Sequence, residues 1–505
     1  MDPIEKHEYA PHASFDGGEL DCGNGLLLLI RQHIDVLDPG QLLEIRSTEA
    51  SVEEDLPAWC RLTNNELVSL VKHGSQRSFL VSKGPLMTQI ASEPGISPVV
   101  PRQTVESPSV SEVTAPLSAV PALYIPPLSV MGVGSWPRPR WLLRALHEYL
   151  EGKIPEEEFQ NIADDAVNLC IQAQVQAGLN VITDGEQRRD NYASFVGKRL
   201  TGCQLVPLLD LLPLVDHPEE FQQQLKMLDV PADKVRHPAV FGKLTPRRPL
   251  VLHEYEFLRR ATTLPTKIAI PGPYLLTRTM WMDCLPNKVY ASRDELALDI
   301  VRILADEIRA LIDAGVSMVQ LDEPVLTEVL FGGSQQKRSF MCGTLSERMS
   351  PMEEMTFAIS LINQVIQGLP KDRVAMHVCR GNWTKDESVA LVGDYLPLVP
   401  AFHKIRVGTL FLEFCTQRAG DLQILKYLPT DVRVGVGLVN PKDQRVESVP
   451  EVLAKARTAA SIIGEDRLLI TPDCGFATFA DNPVATAELA RAKLGVLVQV
   501  AQQLK

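Results

Sequence analysis

RVAMHVCRG, at residues 373–381, sets a histidine and a cysteine two positions apart at the end of an apolar run. The run is too short for a stable helix and is bounded by Gly, so it reads as a buried strand that ends in polar chemistry. Seven further runs share that design: SVMGVGSW (129–136), LNVITDGE (179–186), TKIAIPGP (266–273), VSMVQLDEP (316–324), TLFLEF (409–414), RVGVGLVN (433–440) and LLITPDCG (468–475). Amphipathic segments such as DELALDIVRILADEIRALIDAG (294–315) and NPVATAELARAKLGVLVQVAQQL (482–504) lie between or after them. Eight strands, each feeding a helix, predict a (β/α)8 TIM barrel of the α/β class. An open doubly wound sheet is the alternative. Against it, Gly435 and Gly437 lack the third glycine of a dinucleotide fingerprint, and no P-loop is present.

A chain of 505 residues predicts two or three domains. Residues 91–127 are rich in Pro, Ser and Val, carry few charges and show no helical period, which predicts an extended linker. It separates a module at 1–90 from the barrel at 128–505. In the small module LDCGNGLLLLIRQHIDVL (20–37) reads as a turn entering a helix, and QLLEIRS (41–47) as a strand. DLPAWCRLTNN (55–65) reads as a short helix with Asp55 as N-cap, and ELVSLVKHG (66–74) and SFLVSKG (78–84) as closing strands. The expectation is a small α+β two-layer sandwich.

Charge and composition exclude several classes. A net charge of −13 without a long Lys/Arg run argues against nucleic acid as a partner. No stretch of about 18 apolar residues is present to span a bilayer. The opening MDPIEKHEYAPH lacks the apolar core of a signal peptide. Nine cysteines, an odd number with no secretion signal, predict a reducing, cytoplasmic setting. There a cysteine is a core residue, a metal ligand or a nucleophile.

The strand ends carry the chemistry. Ser135 follows the first run, Asp184 and Glu186 the second, and Asp322 and Glu323 the fourth. His377 and Cys379 close the fifth, Glu413 the sixth, and Asp473 and Cys474 the eighth. A barrel brings the carboxyl ends of all its strands to one face, so these residues become neighbours. On a strand, residues two apart share a face, so His377 and Cys379 can reach one ion. Adding Glu413 and Cys474 gives an imidazole, two thiolates and a carboxylate, a set that suits Zn²⁺. Cys415 is a rival ligand because it shares a strand face with Glu413. Cys170, Cys203, Cys284 and Cys342 have no partner spacing and read as core or surface thiols. The proposed ligands are scattered over three strands, unlike the paired C-x2-C of a structural site. Coordination lowers a thiol pKa strongly, so the implied chemistry is alkyl transfer to sulfur.

GSWPRP, TDGEQRRDNYASF, PGPYLLTRTMW, LDEP, H-x-C, Glu413 and PDCG occur in that order. Together they resemble the catalytic C-terminal barrel of cobalamin-independent methionine synthase and its relatives, across roughly residues 129–505. The resemblance implies a zinc enzyme that moves a methyl group from a methyltetrahydrofolate to homocysteine. It implies His377, Cys379, Glu413 and Cys474 as metal ligands, and Ser135, Glu186 and Asp322 as the hold on the amino-acid substrate. The family's folate stacks on an aromatic residue, for which Trp281 is a candidate. Lys442 stands where the family places a proton-handling histidine. Arg188 and Arg189 are candidates for an anionic group such as a sulfonate or a glutamate tail. The family's second, N-terminal barrel is absent, as in its shorter single-barrel relatives. Some relatives alkylate other thiols, an epoxide-opening enzyme acting on coenzyme M among them, and a non-catalytic sulfur-relay or binding scaffold is a further alternative.

The small module, across about residues 14–84, resembles the TusA-like sulfur-carrier family through LDCGNGLLLLI, DLPAWC and FLVSKG. That resemblance implies a role for Cys22 as a persulfide or thiol carrier, and a sulfur-transfer protein as partner. The family's C-P-x-P turn is here C-G-N-G.

Overall fold

The computed structural model describes residues 6–20, 26–86, 121–207, 235–281, 289–331, 349–382, 385–387 and 390–504. Most of the expected linker, together with Cys22, Cys284 and Cys342, lies outside them. The chain divides into two compact units, 1–118 and 119–505.

The first unit runs β1 (Ala13–Asp16), α1 (Leu26–Ile34), β2 (Leu42–Ser47), α2 (Val52–Leu62), β3 (Glu66–His73) and β4 (Gln76–Ser82). Its strands form one sheet in the order β1-β2-β4-β3, with β1 parallel to β2 and the other pairs antiparallel. Leu26, Ile30 and Ile34 of α1 and Leu56 and Trp59 of α2 bury against Ile45, Phe79 and Val81 of the sheet. The expected α+β sandwich is therefore present. The start of α2 differs from the expectation: the N-cap position is Ser51, and Asp55 sits within the first turn beside Glu53 and Glu54. Three acids there face the positive end of the helix dipole, which favours an earlier start than a cap at Asp55.

The second unit is a closed ring of parallel strands. An antiparallel pair, β5 (Leu200–Pro207) with β6 (Arg236–Pro246), is inserted before its third strand. Six ring strands follow one another: β7 (Lys267–Pro271), β8 (Met318–Asp322), β9 (Val374–Val378), β10 (Thr409–Leu412), β11 (Arg433–Val439) and β12 (Leu468–Pro472). Short parallel bridges complete the circle: Ile182 with Thr266, Met131 with Val181, and Val130 with Ile470. All eight sequence runs thus become neighbours in chain order. Closure rules out the open doubly wound sheet.

Helices Glu156–Ala177, Leu252–Ala261, Arg293–Asp313, Pro351–Val365, Val449–Ile463 and Ala487–Leu504 alternate with the strands. Ser292 caps the third by accepting the Glu295 N–H, and Ser350 with Glu353 forms a capping box on the fourth. The crossovers flanking β10 are shorter than the repeat predicts: a four-residue helix, Val399–Phe402, and a 3-10 turn, Leu422–Tyr427. Pro397 precedes the first and Pro429 follows the second, while Pro400 sits in the first turn of the short helix; none offers the backbone donor a longer helix would use. Inside the ring, Met131, Val133, Val181, Met318, Ala375, Phe411 and Leu469 form an apolar plug. The polar strand ends sit above it.

Candidate active site

Ser135, Glu186, Asp322, His377, Cys379 and Cys474 line one cavity, with Gly134, Tyr192, Pro324, Asn382, Gly475 and Thr478 completing its wall. Six of the residues singled out in the sequence therefore meet at one place.

The loop after the second ring strand is built to present Glu186. Asp184 Oδ1 accepts the Glu186 N–H at 3.1 Å, and Arg138 Nη2 donates to the Glu186 carbonyl at 2.7 Å. These bonds hold Glu186 at φ 54, a left-handed conformation that an ordinary residue adopts at a cost of about 1–3 kcal/mol. A side chain at Gly185 would come within 2.4 Å of the Cys170 sulfur, so that position admits only glycine. Burial raises the Glu186 carboxyl to about 7, against the pull of Arg189, and its Oε2 has no hydrogen-bond partner.

The adjacent acids of LDEP point apart, as neighbours on a strand do. Asp322 faces the cavity. Glu323 caps the helix Pro273–Met280 by accepting the N–H groups of Tyr274 and Leu275 at 2.8 and 3.0 Å. Asp473 is likewise structural in its contacts, since its Oδ1 accepts from Phe414 N at 2.9 Å and Cys415 N at 3.1 Å.

His377, Cys379 and Cys474 offer ligand atoms that lie within 4.8 Å of one another. His377 Nδ1 bonds Asp322 Oδ1 at 3.0 Å, while its buried Nε2 has no partner. Burial alone would disfavour the imidazolium, but that bond and the charges of Cys379, Asp322 and Glu413 hold its pKa above the ordinary value. The two sulfurs face each other within 4.8 Å. The hydrogen bond from Cys474 lowers the Cys379 pKa, and the same bond raises that of Cys474. A buried nitrogen without a partner beside two sulfurs is incomplete as a hydrophobic core and suits a soft divalent metal.

Glu413 is not part of that trio. Its charge reaches all three residues. Its Oε2 nevertheless lies between Nη1 of Arg380 and Nη1 of Arg418, each at 3.5 Å. Cys415 has its thiol raised far above the usual range by burial and stands outside the trio as well. Lys442 is 6 % exposed; burial lowers its pKa, its Nζ has no hydrogen bond, and its nearest carboxylate is Glu387 at 3.9 Å. Glu413 and Cys474 add to the field at that ammonium. Trp281 ends the helix Pro273–Met280, half-buried and packed against the main core.

Arg188 and Arg189 do not line the cavity. Arg189 is buried and paired with Glu254 at 2.7 Å, and it donates to the Ala269 carbonyl at 2.9 Å. Arg188 is paired with Asp164 and donates to Gln160 at 2.8 Å, keeping Nη1 without a bond. Both guanidinium groups named as candidates for an anionic group are thus engaged by carboxylates of the chain, next to the Glu186 loop.

Sequence reasoning also passed over Gln320, Asn382, Arg380, Arg418 and Gly475. Asn382 Nδ2 donates to the Gly475 carbonyl at 2.6 Å and closes the cavity wall. A Cβ on Gly475 would stand 2.7 Å from the Ser135 nitrogen. Only the glycine of PDCG lets the first and eighth strand ends meet.

A parallel eight-stranded ring with sulfur ligands and two carboxylates at one mouth defines a barrel enzyme equipped for metal-assisted chemistry on a thiol. The chain matches the family "cobalamin-independent synthase, catalytic domain" over residues 128–212 and 215–503. It is similar to methionine synthase of Thermococcus kodakarensis, 28 % identical over 375 residues, covering 74 % of this chain and 94 % of that protein. It is also similar to methionine synthase of Sulfolobus acidocaldarius, 26 % identical over 374 residues, covering 74 % of this chain and 92 % of that protein. A solved B12-independent methionine synthase from Shewanella sp. W3-18-1, in complex with selenomethionine, shares the fold with a TM-score of 0.57. It is 24 % identical and covers 75 % of this chain and 98 % of that one. The chain belongs to the cobalamin-independent methionine synthase family and is a methyltransferase of that type. Among the described residues, no helix is long and apolar enough to cross a membrane.

Proposed function

We propose that the barrel is a zinc enzyme that transfers the methyl group of a methyltetrahydrofolate to the thiol of homocysteine. The observation that carries this reading is the orphaned Nε2 of His377 beside the Cys379 and Cys474 sulfurs, in one cavity with Glu186 and Asp322. His377, Cys379 and Cys474 would hold the metal, and Glu413, whose charge reaches all three, would be the fourth ligand once it leaves its arginine partners. Zinc, when bound, supplies deprotonation of a coordinated thiol at neutral pH.

The chain's own groups do the rest. Glu186 and Asp322 hold the ammonium group of homocysteine, and Ser135 with nearby backbone N–H groups holds its carboxylate. The homocysteine sulfur forms a bond to the methyl carbon as the bond from that carbon to folate N5 breaks. N5 then gains a proton, for which the buried Lys442 ammonium is the donor. Trp281 offers the pterin a stacking face. Ion pairs at Arg188 and Arg189 keep the Glu186 loop in place.

The domain reading is 1–90 a TusA-like sulfur-carrier module, 91–127 a linker, and 128–505 the catalytic barrel. Supporting the first is the small α+β sandwich in which Cys22 precedes α1 by a few residues. A thiol at a helix start gains from the dipole, which suits a carrier of sulfur that meets a sulfur-transfer protein. All these parts fit a cytoplasmic enzyme.

The test is formation of methionine by the purified, zinc-loaded protein from homocysteine and methyltetrahydrofolate. Turnover only with coenzyme M and an epoxide would instead assign the barrel to another thiol alkylation. Homocysteine binding with no turnover under any pairing would make it a scaffold.

A further inference from the structure

We infer that Lys267 and Gln320 are positioning residues: they lock Asp322, and through it the ring of His377, into the one arrangement that leaves the Nε2 lone pair for a metal. The inference rests on the reading of His377 as a ligand.

Lys267 opens β7 inside the ring and is fully buried. Its Nζ donates to the Val133 carbonyl at 3.0 Å and to Gln320 Oε1, and it lies 4.5 Å over the Phe411 ring. Burial lowers the Lys267 pKa to about 7, and in either state its Nζ brings N–H donors to the Val133 carbonyl and to the amide, so the oxygen of the Gln320 amide faces it. The amide nitrogen is thereby turned the other way. There it donates to the Val133 carbonyl at 2.9 Å and to Asp322 Oδ1 at 2.7 Å, both groups that only accept. Flipping the amide would break every one of these bonds.

Gln320 and Asp322 are two apart on β8 and so share a face, and Asp322 stands opposite His377 in the β8–β9 register. Asp322 Oδ1 takes its second N–H from His377 Nδ1 at 3.0 Å. A carboxylate that accepts from Nδ1 places the ring proton there and leaves the lone pair on Nε2. Among the described residues both bonds to the Asp322 carboxylate fall on Oδ1, so Oδ2 is left for the cavity. A four-residue relay thus runs up the inside of the ring, Lys267 to Gln320 to Asp322 to His377. Its first two members do not line the cavity and act only through the others. A buried lysine is costlier than a methionine of similar size, and the orientation of the amide is what its N–H donors secure.

The experiment is the ¹⁵N spectrum of histidine-labelled, metal-free protein, with zinc affinity measured separately by chelator competition. Recorded at a pH well above the raised His377 pKa, where the ring is neutral, the unaltered protein is expected to carry its one ring proton on Nδ1. In Lys267→Met the amide is free to turn, both ring tautomers are expected, and zinc affinity should fall roughly tenfold or more. Should Lys267→Met fail to fold, Gln320→Met carries the same expectation, since it cuts the relay while leaving both charged ends in place. A single Nδ1–H tautomer with unchanged zinc affinity in the folded variant would overturn the inference, as would a proton on Nε2 in the unaltered protein. If the unaltered protein shows the Nδ1–H tautomer but takes up no zinc, the metal reading fails and the relay stands.

Discussion

Glu413 Oε2 stands 3.5 Å from Nη1 of Arg418, beside the His377–Cys379–Cys474 trio rather than within it. Arg380 holds the same oxygen at the same distance from the other side. Two guanidinium groups therefore compete with any metal for this carboxylate. Arg418→Gln should weaken that hold and let Glu413 reach the metal. We expect zinc affinity to tighten by about tenfold and the spectrum of the cobalt-substituted protein to show an added oxygen ligand. Unchanged affinity and spectrum would mean that Arg418 does not restrain Glu413.

Cys474→Ser should lower bound zinc to less than about one tenth per chain and abolish methyl transfer, because a serine hydroxyl does not replace a thiolate at a soft site. Metal analysis of the purified variant checks this. Full zinc content would remove Cys474 from the ligand set.

Glu186 provides a pH test. Burial raises its carboxyl from 4.5 to about 7, so the fold favours the protonated form. In metal-free, substrate-free protein its contribution to stability is full below pH about 4.5 and is lost as pH rises to about 7. Glu186→Gln should remove that fall, worth at most about 3 kcal/mol, in urea titrations across the range. Homocysteine needs the ionised acid to hold its ammonium group. Its KM should therefore drop as pH rises through about 7, and that dependence should vanish in Glu186→Gln with KM raised at least about tenfold.

Gly475→Ala puts a methyl group 2.7 Å from the Ser135 backbone nitrogen and 3.1 Å from the Gly134 carbonyl carbon. Neither neighbour is the end of a flexible side chain. Destabilisation of about 1–3 kcal/mol is expected, read as a lower Tm, together with a raised KM for homocysteine. A wild-type Tm and KM would show that the two strand ends can part without cost.

Cys22→Ala should leave methyl transfer to free homocysteine unchanged, since the barrel holds its own thiol site. Loss of turnover in that variant would show the modules to be chemically coupled.

The eight ring strands were legible because each is a short apolar run bounded by turn residues, a local property of the chain. The cavity residues were legible for the same reason: a strand must be apolar to be buried, so the polar residue at its end stands out. Lys267 was equally visible as a charge inside TKIAIP, yet its meaning depends on Gln320 from the next strand. Arg188 and Arg189 read as candidates for an external anion because Asp164 and Glu254, their partners, lie on other elements. The shortened crossovers beside β10 were marked by their prolines but not weighed against the regular repeat.

By itself the sequence determined the number of strands, the face on which their ends collect and the kinds of ligand gathered there. Tertiary structure alone decided that Glu413 leans on two arginines, that Glu323 caps a helix while Asp322 faces the cavity, and that Cys379 and Cys474 meet beside His377. Strand identity follows from period and composition within a few residues. Hydrogen bonds and ion pairs across a closed ring depend on distances of a few ångströms between segments far apart in the chain, and only closure sets those distances.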